Sequence, residues 1–185
     1  MSLTQIRIGG FGGQGVIMAG SILGKASAIY DGKFAAMSRS YGPEARGGAC
    51  SSQVLISDEP ITYPYVTRAD YLLALSQEAC TLFLPHLAEG GRLLYEMELV
   101  TPSALPFSYE AHGIPCTRMA EELGNRLVLN IVMIGFLLKH CPAISREAME
   151  KAISSTVPKK FIDLNLKAFN QGYEYVVSPA ESICK

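Results

Sequence analysis

The feature that most constrains this chain is a run of glycines set between a short alternating stretch and a stretch with helical periodicity. Gln5-Ile6-Arg7-Ile8 alternates polar and apolar residues and runs straight into Gly9-Gly10-Phe11-Gly12-Gly13-Gln14-Gly15. Alternation of that kind belongs to a strand ending in a turn. Beyond Gly15, apolar residues recur at Val16, Ala19, Ile22, Leu23 and Ala26, the spacing of one helical face. Gly10 to Gly15 therefore satisfies G-x-G-x-x-G in the strand–turn–helix setting that its mechanism needs. The glycines allow a tight turn and close approach of backbone to ligand, and the helix start offers free N–H groups and a positive dipole end to a phosphate. The same glycines would also serve a turn that only lets helix and strand pack closely. No Lys or Ser/Thr stands at Walker-A spacing, which disfavours a nucleoside-triphosphatase.

The rest of the chain continues the alternation of strands and helices. Asp31-Gly32 turns into a second strand over 33–37, and residues 39–48 read as a polar, glycine-rich loop. A strand follows over 49–56, closed by Asp58-Glu59-Pro60. Tyr71-Leu72-Leu73-Ala74-Leu75 is a continuous apolar run, as expected of a central parallel strand covered on both faces. A helix is predicted over 77–88 and a strand over 92–95. Pro102, Pro106 and Pro115 break residues 101–116, which have room for one or two short strands. A long apolar helix spans 125–140 and stops near Pro142. Ser145 is the N-cap expected for a helix over 146–155, and a last helix covers 160–171. Without repeat, low-complexity tract or linker, residues 1–185 are expected to form one α/β domain. Its class is Rossmann-like and doubly wound, a mainly parallel sheet with a helical C-terminal portion.

Composition excludes several functions. Net charge is −1 and Lys159-Lys160 is the longest basic cluster, so a nucleic-acid partner is not expected. The five cysteines (Cys50, Cys80, Cys116, Cys141, Cys184) show no C-x-x-C spacing, and His86, His112 and His140 show no metal-ligand spacing. This argues against a disulfide framework, zinc or an iron–sulfur cluster in this chain, and suits thiols in a reducing cytoplasm. The N-terminus lacks a signal sequence, and the apolar stretch 127–138 is too short for a bilayer, so no membrane association is expected. Hydrophobic residues make up 49%, enough to fill a large core or to cover a subunit interface as well.

A dinucleotide site needs an acid at the end of the second strand to meet the ribose. Asp31 comes before that strand, and its end reads Met37-Ser38-Arg39-Ser40. Ser38 and Arg39 would suit a phosphorylated ribose, as in NADP or coenzyme A; otherwise Arg39 is a surface charge. Ser40-Tyr41-Gly42-Pro43-Glu44-Ala45-Arg46-Gly47-Gly48 is expected on the same rim as the first glycine loop. Arg46 there is able to hold a carboxylate or phosphate through two parallel hydrogen bonds, or to pair with Glu44. No nucleophile–base motif appears, and the three histidines read as structural. The chain looks built to bind rather than to react.

Gly9-Gly10-Phe11-Gly12-Gly13-Gln14-Gly15-Val16 together with Ser40 through Gly48 resembles the gamma subunit of 2-oxoacid:ferredoxin (or flavodoxin) oxidoreductases. Asn130 with Gly135, and Phe161 through Asn165-Leu166-Lys167-Ala168-Phe169 to Gly172, are similar to that family's C-terminal half. The resemblance implies a complex that oxidatively decarboxylates a 2-oxoacid to an acyl-coenzyme A; a separate gamma subunit suits four-subunit complexes, which commonly act on 2-oxoglutarate, with pyruvate and branched-chain or aryl 2-oxoacids as the alternatives. It implies alpha, beta and cluster-bearing partner subunits that hold thiamine diphosphate and the iron–sulfur clusters, with ferredoxin or flavodoxin as acceptor. This chain would help assembly and coenzyme A binding without catalytic residues of its own. Gly10, Gly12, Gly13, Gln14 and Gly15 would approach the pyrophosphate, and Ser40, Tyr41, Gly42 and Arg46 would face the ligand or the thiamine-bearing partner. Read from the residues alone, an NAD(P)-dependent oxidoreductase and a purely structural subunit stay open as alternatives.

Overall fold

Burial of both faces of one central strand organises the molecule, whose computed structural model describes residues 3–41 and 49–176. The elements are β1 (Thr4–Phe11), α1 (Val16–Lys25), β2 (Phe34–Tyr41), β3 (Ala49–Ser57), β4 (Ala69–Ala74), α2 (Gln77–Phe83), β5 (Leu87–Glu96) and β6 (Glu110–Ile114). They continue with α3 (Cys116–Glu122), α4 (Leu129–His140), α5 (Arg146–Ser154) and α6 (Ile162–Glu174). The sheet order is β2-β3-β1-β4-β5-β6. In β4, Leu72, Leu73 and Ala74 are all fully buried, as the unbroken apolar run requires of a strand with helices or loops on both sides.

β1, β4, β5 and β6 are parallel neighbours, and β3 runs antiparallel to both β1 and β2. The sheet is thus mainly parallel, with one reversed strand. β2 points the same way as β1 but lies one strand further out, because β3 sits between them. A dinucleotide fold would set β1 and β2 side by side as parallel neighbours, and here β3 separates them. It also moves the end of β2 away from the β1 loop by one strand.

The two faces are covered unequally. Ile6, Ile8, Val54, Ile56, Leu73 and Leu94 pack with residues of α1, α3, α4, α5 and α6 into one large core. Leu55, Leu72, Ala74, Leu93 and Tyr95 form a smaller core on the other face, where α2 contributes Cys80. Apolar residues on all sides fit α4 to be the innermost helix: every residue from Leu129 to Leu137 is buried.

Several element bounds differ from the sequence expectation. β2 extends to Tyr41, because its ladder with β3 continues through Arg39↔Ser52, Ser40↔Ser51 and Tyr41↔Cys50. Ser40 and Tyr41 are therefore strand residues, not loop residues. α2 ends at Phe83 and passes into a 3-10 turn over Leu84–His86, since Pro85 has no N–H to continue the helix. The stretch 101–116 holds one strand, β6, and the unexpected α3 starts directly after Pro115. Its first turn is held from outside. Fully buried Glu96 accepts, at Oε2, from Thr117 N (2.6 Å), Thr117 Oγ1 (2.8 Å) and Cys116 Sγ (2.8 Å). Ser145 caps α5 as expected, its hydroxyl accepting from Ala148 N. The Asp31 carboxylate accepts from Ser145 N (2.7 Å) and Oγ (2.6 Å), which ties the α1–β2 turn to α5.

α4 and α6 cross where each presents a glycine. A methyl group at Gly135 would overlap the Phe169 carbonyl oxygen, and one at Gly172 would overlap that of Val132. These are backbone atoms, so only separating the helices relieves the clash. Gly135→Ala is expected to lower the unfolding free energy in urea by about 1–3 kcal/mol, as overpacking does, against a gain in helix propensity of about 1 kcal/mol. A variant more stable than the parent would mean the helices do not touch there.

Candidate functional site

The glycine loop closes on itself before it meets anything else. Gln14 N donates to Phe11 O at 3.1 Å, making a tight turn at the end of β1. Gly13 (φ 97°) and Gly15 (φ 73°) take left-handed conformations that a side chain would strain. The Gln14 carboxamide fixes the turn on both sides: Oε1 accepts from Phe11 N (2.6 Å) and Nε2 donates to Leu75 O (2.9 Å). Leu75 N in turn donates to Gly9 O at 2.9 Å, so the loop is pinned to the junction of β1 and β4. From the other side Asn130 Nδ2, on α4, donates to Gly15 O at 3.1 Å. Asn130 is fully buried, and its Oδ1 has no partner among the described residues.

These contacts divide the glycines by role. A Cβ on Gly10 would meet Gln14 Oε1 at 2.6 Å, and one on Gly15 would meet Asn130 Nδ2 at 2.5 Å, so both are small because protein packs on them. A Cβ on Gly13 would meet nothing within 4 Å. α1 then begins with no side-chain cap and no acidic residue in its first turn. Its first amides and the positive end of its dipole are left for an outside acceptor.

Of the predicted residues that are described, all but Gly15, which is packed under Asn130, line one of two cavities. Gly12, Gly13 and Gln14 line one of about 270 Å³, with Phe11, Arg126, Leu127 and Leu129 opposite. Gly10, Ser40 and Tyr41 line another of about 160 Å³, with Cys50, Glu78, Leu82 and Phe83. Burial of Cys50 pushes its thiol upward from its ordinary value. Arg39 lies over the Tyr41 ring at 5.9 Å. Gly42 and Arg46, with Glu44, lie outside the described residues. Arg126 and Leu127 belong to no sequence motif; they reach the site because the turn before α4 lies against the loop. Among the described residues no group of three or more His, Cys, Asp or Glu is placed to hold a metal ion. No helix among them is long and apolar enough to cross a membrane.

The histidines lie elsewhere. His112 and His140 stack at 4.5 Å with an interplanar angle of 25°, and Phe136 packs edge-on to His140 at 4.8 Å. The His140 carbonyl accepts from Tyr71 Oη (3.0 Å) and Arg92 Nη1 (2.9 Å), while Arg92 Nε pairs with Glu110 at 2.7 Å. Burial first, then the positive charges of His112, Arg92 and Lys139, push His140 down from 6.5 to about 4.

Two predictions follow from these contacts. Gln14→Ala leaves Phe11 N and Leu75 O without their side-chain partner and is expected to cost about 1–3 kcal/mol. Faster amide exchange at residues 11–15 would locate that loss in the loop; unchanged exchange would refute the clamp. For His140, the unfolded chain takes up a proton at higher pH than the folded one. Stability from keeping this ring neutral is therefore complete above about pH 6.5 and lost as pH falls towards 4. The thermal midpoint should drop across that window, and less steeply in His140→Phe; equal slopes would exclude His140 as the source.

Comparison with known proteins agrees with this architecture. Residues 5–175 match the family model described as pyruvate ferredoxin/flavodoxin oxidoreductase. The chain is 49% identical, over 92% of both lengths, to 2-oxoglutarate synthase subunit KorC of Methanocaldococcus jannaschii. The gamma subunit of a keto/oxoacid ferredoxin oxidoreductase from Geobacter sulfurreducens superposes with a TM-score of 0.86 at 42% identity, covering 99% of this chain and 100% of that one. A 2-oxoglutarate:ferredoxin oxidoreductase from Magnetococcus marinus, with 2-oxoglutarate, coenzyme A and succinyl-CoA bound, gives 0.85 at 25% identity over 94% of this chain and 31% of that one. The chain belongs to the pyruvate ferredoxin/flavodoxin oxidoreductase family, as a gamma-type subunit of a multi-subunit 2-oxoacid oxidoreductase.

Proposed function

We propose that this chain, as one domain over residues 1–185, serves a cytoplasmic 2-oxoglutarate:ferredoxin or flavodoxin oxidoreductase by holding the pyrophosphate of coenzyme A at its glycine loop. The observation that carries this reading is the start of α1: uncapped amides behind Gly12 and Gly13, with open space at Gly13. Such an arrangement suits an anionic group. The identity to a 2-oxoglutarate synthase subunit supports the substrate, and the likeness to a structure that contains coenzyme A supports the ligand. Ser40 and Tyr41, with Gly42 and Arg46, would border the remainder of the ligand or the thiamine-bearing partner.

The chain's own residues then bind and orient, and the bond-breaking chemistry lies elsewhere. Thiamine diphosphate, which supplies carbanion stabilisation, and the iron–sulfur clusters would belong to the alpha, beta and cluster-bearing subunits. A nicotinamide dehydrogenase is the weaker reading on geometry. β3 separates β2 from β1, and Asp31 is engaged with Ser145.

The test uses the complex assembled with all its subunits. Gly12→Asp, which sets a carboxylate before the α1 amides, is expected to raise KM for coenzyme A at least tenfold in 2-oxoglutarate oxidation with a dye acceptor. Subunit recovery should be unchanged. An unaltered KM would leave the loop a purely structural element, and oxidation of a nicotinamide substrate by the isolated chain would replace the reading altogether.

A further inference from the structure

The glycine loop carries no charged side chain, yet a diphosphate brings more negative charge than the roughly half charge of a helix dipole can offset. We infer that Arg126 supplies the missing cation and selects a phosphorylated ligand at this cavity, a role that rests on the coenzyme A reading above. Among the described residues that line the cavity, Arg126 is the one with a charge. Phe11, Leu127 and Leu129 are apolar, Gly12 and Gly13 have no side chain, and both ends of the Gln14 amide are bonded internally.

Arg126 is also held in place. It opens the 3-10 turn Arg126–Val128, which Asn125 caps by accepting from Leu127 N at 3.0 Å. Four residues on, Asn130 donates to Gly15 O. The backbone that carries Arg126 and the loop are therefore joined through one helical turn. Its present partner is weak. Glu121 lies 3.8 Å away, and the two side chains are 63% and 55% exposed. An exposed pair of this kind contributes little, so its exchange for a phosphate costs little. A guanidinium offers a planar fork that matches two phosphate oxygens. Leu127 and Phe11, 68% and 38% exposed, flank it with apolar surface for the uncharged parts of such a ligand.

The experiment compares Arg126→Gln, Arg126→Lys and Gly12→Asp in the fully assembled complex, with coenzyme A as substrate and ADP as a competing diphosphate probe. Arg126→Gln is expected to raise KM for coenzyme A about tenfold, with the loss on KM rather than kcat, and to weaken ADP inhibition in parallel. Arg126→Lys should restore part of the loss, and the gap between variant and parent should narrow as salt is raised. If Gly12→Asp raises KM and Arg126→Gln does not, the loop holds the ligand without Arg126 and the inference falls. If neither variant moves KM, the coenzyme A reading itself fails and takes the inference with it. A fall in kcat or in subunit recovery at unchanged KM would make Arg126 a subunit contact and overturn its assignment to the ligand.

Discussion

The crossing of α4 and α6 at Gly135 and Gly172 is the contact on which the rest of the molecule depends. It lets the two backbones approach until carbonyl oxygens stand where side chains would be. α4 thereby sinks to the centre of the helical layer, with nine consecutive buried residues against the sheet and its neighbours. That depth brings Asn130 to Gly15 and sets the preceding turn, with Arg126, beside the glycine loop. A wider crossing would lift α4 and withdraw both residues together. Core packing far from the loop thus governs the loop's geometry, because close-packed interiors transmit displacement rather than absorb it.

The reversed strand has a similar reach. With β3 between β1 and β2, the sheet beside the glycine loop is an antiparallel ladder, in which Ser40 faces Ser51 and Tyr41 faces Cys50. A dinucleotide fold would place the second parallel strand and its acid at this point. Here that ground is taken by the ends of β2 and β3, which frame the separate 160 Å³ cavity. The two halves of the sequence motif therefore meet at that cavity through Gly10 alone, while Gly12, Gly13 and Gln14 face the other one.

Much of this was legible in the sequence, and the misses have physical causes. The strand–loop–helix unit was readable because periodicity switches from two to three or four at Gly15. The α5 start was readable because Ser145 caps it from within. The start of α3 was not, because its cap is Glu96, twenty residues away and on another strand. Local propensity cannot report a contact made by tertiary packing. The extension of β2 to Tyr41 was hidden for a similar reason: Ser-Arg-Ser is poor strand sequence, and the β3 ladder holds it. Arg126 was invisible because nothing near it in sequence marks a ligand contact. Only the topology brings it to Gly12 and Gly13.

The treatment of helix starts shows why this loop differs from an ordinary turn. Ser76 caps α2, Ser145 with Asp31 secures α5, and buried Glu96 holds the first turn of α3. α4 and α6 each continue from a 3-10 turn, so their first amides are already drawn into a helical path. α1 has none of these devices: it starts from a left-handed glycine, without side-chain cap or acid. Leaving a helix start uncapped forgoes about 1 kcal/mol, and the fold supplies caps elsewhere even from distant strands. The groups that clamp the loop, Gln14 and Asn130, are neutral amides: Gln14 accepts from Phe11 N and donates to Leu75 O, Asn130 donates to Gly15 O, and neither adds charge. They hold the shape of the loop while leaving the positive end of α1 unneutralised. That combination is what a preorganised anion site requires: rigidity from uncharged clamps, and a dipole kept free for the ligand.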